Sequence, residues 1–85
     1  MLGDLTERDR AILALEVAWP RHSGAKEEII RARLGMSAAR YYQLLARLIE
    51  SESALEYDPV LVRRLRRIRD SRAMRRTARL PGFVG

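Results

Sequence analysis

Eighty-five residues, 47% of them apolar, allow one domain with a small core that needs neither metal nor disulfide. Cysteine is absent, which excludes a disulfide framework and thiolate chemistry. No apolar run approaches the roughly 18 residues of a membrane span, and the N-terminus, MLGDLTERDR, has acids where a signal peptide needs positive charge, so a cytoplasmic location is expected.

The net charge of +6 is distributed unevenly. Arg63 to Arg79 holds nine of the sixteen arginines and one acid, Asp70, for a net of 9 − 1 = +8. The rest carries eight basic and ten acidic residues, 8 − 10 = −2. A nearly neutral domain followed by a cationic segment points to a polyanionic partner.

In chain order, Thr6 is suited to cap a first helix of about 7–19, with Glu7 and Asp9 in the first turn, where the helix dipole favours anions. Leu5, Ile12, Leu15 and Trp19 form its inward stripe, supported by Ala11 and Ala18, and Pro20 ends it. Pro20 to Gly24 is a turn, and His22 within it is expected as a solvent-exposed loop residue without metal or catalytic role. Ser23 or Gly24 caps a second helix over 25–34, with Ile29, Ile30 and Leu34 inward beside Ala25 or Ala32. Glu27 and Arg31 are spaced for an ion pair, and Lys26 for packing of its stem on Ile30. Gly35 sits where a helix takes a left-handed residue, Met36 plugs inward, and Ser37 caps a third helix of about 38–50. Tyr41, Leu44, Leu45 and Leu48 are its inward face, with Ile49 at the edge.

The acidic stretch Glu50 to Asp58 reads as a linker, with a single helical turn at Ser53–Leu55 and with Leu55 and Tyr57 packing back on the domain. Asp58-Pro59 is a strong start signal for a fourth helix of about 59–78. Leu61, Leu65 and Ile68 make its seam, with Val62 at the edge, so its first half docks and the part from Arg72 frays. Residues 79–85 read as a loose tail containing Phe83.

The run AKEEIIRARLGMSAARYYQLLARLIE resembles the bacterial helix-turn-helix consensus, with Leu-Gly-Met-Ser as the turn and Ile30, Leu34, Met36, Tyr41 and Leu44 at the inward positions. It departs from that pattern at Arg31, where a small residue is usual; either the helices are spread or the register shifts so that Ala32 does that job. LTERDRAILAL is also similar to the first helix of sigma-factor region four. Over about residues 4–75 the chain resembles a family of small actinobacterial proteins of unknown function expected to be helix-turn-helix. The fold expected is therefore all-α: a three-helix helix-turn-helix core over 1–58, a basic C-terminal helix over 59–78, and the tail 79–85.

Function follows as an expectation. No catalytic constellation, metal cluster or phosphate loop is present in the sequence, so neither an enzyme nor a cofactor is expected. The leading reading is a double-stranded-DNA-binding protein of transcriptional-regulator or nucleoid-associated type. In it, Ala38, Ala39, Arg40, Tyr42, Gln43 and Arg47 face base edges in the major groove. Ser37, Arg63, Arg64, Arg66, Arg67, Arg69, Arg72, Arg75 and Arg76 face phosphates. The alternatives are an interaction module for RNA polymerase, a sigma factor or another protein, and a binder of structured RNA. A monomer or weak dimer is expected, with no membrane partner.

Overall fold

A computed structural model describes residues 4–79, with backbone only for 76–79. Residues 80–85, and with them Phe83, lie outside the described residues. The described chain is all-helical: α1 Glu7–Ala18, α2 Gly24–Ile29 continued by a π-helical turn Ile30–Leu34, α3 Ala38–Leu48, α4 Glu52–Tyr57 and α5 Pro59–Arg79. None of these helices is long and apolar enough to cross a membrane.

Each helix begins at a side chain that accepts an otherwise orphaned backbone N–H. Thr6 Oγ1 accepts from Asp9 N, and Asp9 Oδ2 accepts from Thr6 N, both at 3.0 Å, a reciprocal capping box. Ser23, Ser37 and Ser51 each accept the N–H three residues on at 3.1 Å. Asp58 Oδ1 accepts from Leu61 N, also at 3.1 Å, and Pro59 fills the first helical position, where no N–H is needed.

The π-helical turn is where the sequence departed from pattern. Ile30 remains fully buried, while Arg31 and Ala32 both face solvent, so neither fills the close-approach position. A π turn holds more residues than an α turn and thereby swings the bulky Arg31 outward. Arg31 reaches Glu28 at 3.3 Å, not the expected Glu27, which has turned to His22. The turn closes at Gly35, whose φ of +65° lies in the left-handed region and whose N–H donates to the Arg31 carbonyl at 3.0 Å. Three residues, Gly35 to Ser37, separate the π turn from α3.

Several inward assignments shift. On α1 the buried residues are Ile12, Leu13, Leu15 and Glu16, and Trp19 is only partly buried. Burial at adjacent as well as third and fourth positions means that α1 is covered over a wide arc, not along the single Leu5–Trp19 stripe. The supposed linker is helix α4, with Ala54 fully buried and Leu55 packed on the core, but Tyr57 is exposed. On α5, Leu61 and Val62 are the buried pair, Leu65 is half-buried and Ile68 is 41% exposed. Val62 and Ile68 are six positions apart, about 120° around a helix, so turning Val62 inward turns Ile68 out. Helix α5 is continuous through Arg79.

Candidate nucleic-acid interface

The outward face of α3 follows from its buried one. Tyr41, Leu45 and Leu48 turn inward, so Ala39, Gln43 and Ala46 lie opposite, with Arg40 and Arg47 on one flank. All five are exposed. Ala38 is half-buried, and Ser37 Oγ is occupied by the Arg40 N–H. These side chains form a strip along α3, from Ala39 and Arg40 next to the three-residue turn to Arg47 in the last turn.

Tyr42 does not belong to that strip. Its ring packs edge-on against Tyr41, with centroids 5.0 Å apart at 88°, and against His22 at 5.3 Å. Its hydroxyl lies 3.0 Å from His22 Nδ1, and His22 Nε2 lies 2.9 Å from a Glu27 oxygen. Half-buried and held on one side of α3, Tyr42 is a packing residue between α2 and α3, which corrects its expected place among the base-facing residues. His22 is exposed as expected, yet it is not idle.

The arginines of α5 divide into two sets. Arg63, Arg67, Arg72 and Arg75 are exposed, and Arg64 is half-buried. Arg66 and Arg69 turn back toward the domain instead of outward. Arg66 Nε donates to the Ile49 carbonyl at 2.5 Å, satisfying a carbonyl at the end of α3. Arg69 is held between Glu50 and Asp70. Both side chains thus contact the domain's own groups. The side chain of Arg76 lies outside the described residues.

Under this surface lies a polar cluster that the sequence did not reveal. Lys26 Nζ donates to Glu16 Oε2 at 2.5 Å, with the two side chains 1% and 4% exposed. The Tyr41 hydroxyl donates to the same oxygen at 2.5 Å and lies 3.3 Å from the Ile12 carbonyl. Lys26 Nζ also sits 5.5 Å and 5.2 Å from the Tyr41 and Tyr42 ring centroids, within cation–π range. Burial, and then the hydrogen bond to the Glu16 carboxylate, push the Tyr41 hydroxyl well above its ordinary pKa. The cluster ties α1, α2 and α3 together directly behind the exposed strip. Among the described residues, no three His, Asp or Glu side chains come together to hold a metal ion.

The class this defines is a small all-helical protein with a long, arginine-rich last helix. The chain belongs to the family described as "Protein of unknown function (DUF3263)", which it matches over residues 4–77, from the cap of α1 to the last turns of α5. No curated protein and no solved structure matches it.

Proposed function

We propose that the protein binds duplex DNA through a helix-turn-helix, as a transcriptional regulator or nucleoid-associated protein. The observation that carries this reading is the exposed strip Ala39, Arg40, Gln43 and Arg47 along α3, a helix that begins directly after the tight Gly35–Ser37 turn. A helix presented this way places its first turns against base edges in the major groove. Gln43 is suited to adenine, Arg40 or Arg47 to guanine, and the Ala39 methyl to the thymine methyl. So few reading groups imply modest sequence preference.

Affinity comes from the backbone contacts. Arg63, Arg67 and Arg75 are exposed on α5 and, among the described residues, pair with none of the domain's acids. Each phosphate they neutralise releases counterion, with a log–log salt slope of about −0.9 per contact, so three contribute about −2.7. The experiment is fluorescence anisotropy on random and genomic duplexes across a salt series. Absence of binding at low salt refutes the proposal. So does an unchanged affinity and slope when Arg63, Arg67 and Arg75 are all replaced by Ala.

A further inference from the structure

Most of the chain's serine and threonine hydroxyls have a structural task. Thr6, Ser23, Ser37 and Ser51 cap helices by accepting a backbone N–H. Ser53 is half-buried in α4, and the side chain of Thr77 lies outside the described residues. Ser71 differs from these. It starts no helix, lies inside α5 and is exposed. Serine is a weaker helix former than alanine, so helix propensity does not explain it there.

Its neighbours give the position a meaning. Arg63, Arg67, Ser71 and Arg75 follow one another at four-residue spacing, all exposed, on one slowly turning stripe of α5. Ser71 thus stands about 6 Å of rise from Arg67 on one side and from Arg75 on the other. The adjacent acid, Asp70, is engaged by Arg69. Ser71 is therefore the uncharged third step of a cationic series, and that series is the one assigned above to the DNA backbone. Access to an enzyme's cleft is also available. The buried anchors Leu61 and Val62, and the contacts of Arg66 and Arg69 with the domain, all precede Ser71. The helix from Ser71 onward can unwind locally without opening the core.

We infer that Ser71 is a phosphorylation site whose phosphate switches off the arginine stripe. The donor is a nucleoside triphosphate held by a serine/threonine kinase. Ser71 Oγ bonds to the γ-phosphorus, and the bond from that phosphorus to the β–γ bridging oxygen breaks. The nucleoside diphosphate leaves, and the hydroxyl proton passes to the kinase's base. The product carries about −1.5 to −2 charges at pH 7 and three strong acceptor oxygens. It pairs with Arg67 and Arg75, one turn away on either side, and repels the duplex. The site stands on Ser71 and its neighbours, whereas its effect on DNA rests on the function proposed above.

The test has two parts. First, the full chain is incubated with magnesium ATP and an arginine-directed serine/threonine kinase, and peptide mass spectrometry locates the phosphate. Ser71 takes it first. A phosphate that appears first on another hydroxyl, or on none, overturns the site.

Second, the full chain is made with phosphoserine at position 71. Phosphorus NMR follows its titration, whose midpoint falls below the ordinary second pKa of about 6 and returns toward it when Arg67 and Arg75 are both replaced by Ala. Equal midpoints in the two chains overturn the pairing, whether or not DNA binds. In a salt series on one duplex, the phosphate weakens binding about tenfold or more and makes the slope shallower by about 1.8, two contacts at about 0.9 each, while Ser71→Ala binds as the parent does. An unchanged slope overturns the switch, as does an equal loss in Ser71→Ala, since the hydroxyl is then itself the contact. A parent chain that binds no duplex sinks the DNA reading alone, and the phosphorus titration still decides the pairing.

Discussion

Lys26 Nζ lies 2.5 Å from Glu16 Oε2, with both side chains buried, so the charge that looks most expendable in α2 is the one the fold encloses. A buried pair is weak support for net stability, because desolvation offsets the attraction, but removing one member strands the other.

Lys26→Met therefore costs about 3–5 kcal/mol in urea denaturation. The double variant Glu16→Leu with Lys26→Met recovers a large part of that loss, with the Tyr41 hydroxyl falling back on the Ile12 carbonyl 3.3 Å away. A double variant as unstable as the single one contradicts this account.

Tyr41 predicts an alkaline limit. Its pKa is raised in the folded state, by burial first and by the Glu16 hydrogen bond second. The group's contribution is fully present below the unfolded tyrosine value of about 10 and is lost as pH rises beyond it, because only the unfolded chain then ionises. Each pH unit above that point removes about 1.4 kcal/mol for this one group. Tyr41→Phe lowers stability at neutral pH by losing a hydrogen bond, yet flattens the decline between about pH 10 and 11. Urea midpoints across that range measure it.

Gly35→Ala isolates a backbone effect. Nothing lies within 4 Å of an added Cβ, so the cost is the left-handed φ of +65° alone. About 1 kcal/mol of destabilisation is expected, with an unchanged denaturant slope. A much larger loss shows that the added methyl disturbs the approach of α2 to α3.

Arg66 and Arg67 are neighbours with opposite assignments. Arg66→Ala removes the donor to the Ile49 carbonyl and costs about 1–3 kcal/mol of stability. Arg67→Ala leaves stability within about 0.5 kcal/mol, since the side chain is exposed. Under the DNA proposal, Arg67→Ala weakens binding evenly across sequences, whereas Gln43→Ala relaxes preference at one base position. Thermal melts and binding titrations on the same samples separate these effects.

Helix starts were legible because they depend on one or two adjacent residues. Thr6, Ser37 and Asp58-Pro59 read directly as caps, Ser23 as one of two candidates beside Gly24, and Gly35 as a left-handed stop. Side-chain partners were less legible, because they depend on which helix lies opposite. Lys26 finds Glu16 ten positions earlier and Tyr41 fifteen later, and no local spacing signals either. Tyr42 read as outward because Tyr41 was inward, yet adjacent positions are only about 100° apart, and His22 and Lys26 cover that flank. Arg66 and Arg69 belong to a run of like residues in which charge alone does not say which ones turn back. The π turn was foreshadowed only by the misfit of Arg31. Of the candidate strip, the Ala39, Arg40, Gln43 and Arg47 positions needed only the inward face of α3, which the hydrophobic spacing supplied.

Helix α5 is 21 residues long, yet its buried anchors, Leu61 and Val62, lie in the first turn. These anchors, and the contacts of Leu65, Arg66 and Arg69 with the domain, all precede the exposed Arg72 and Arg75. Lengthening, trimming or recoding the chain beyond Arg69 thus changes the electrostatic dose without asking the core to repack. Evolution, or an engineer, can retune this segment one residue at a time.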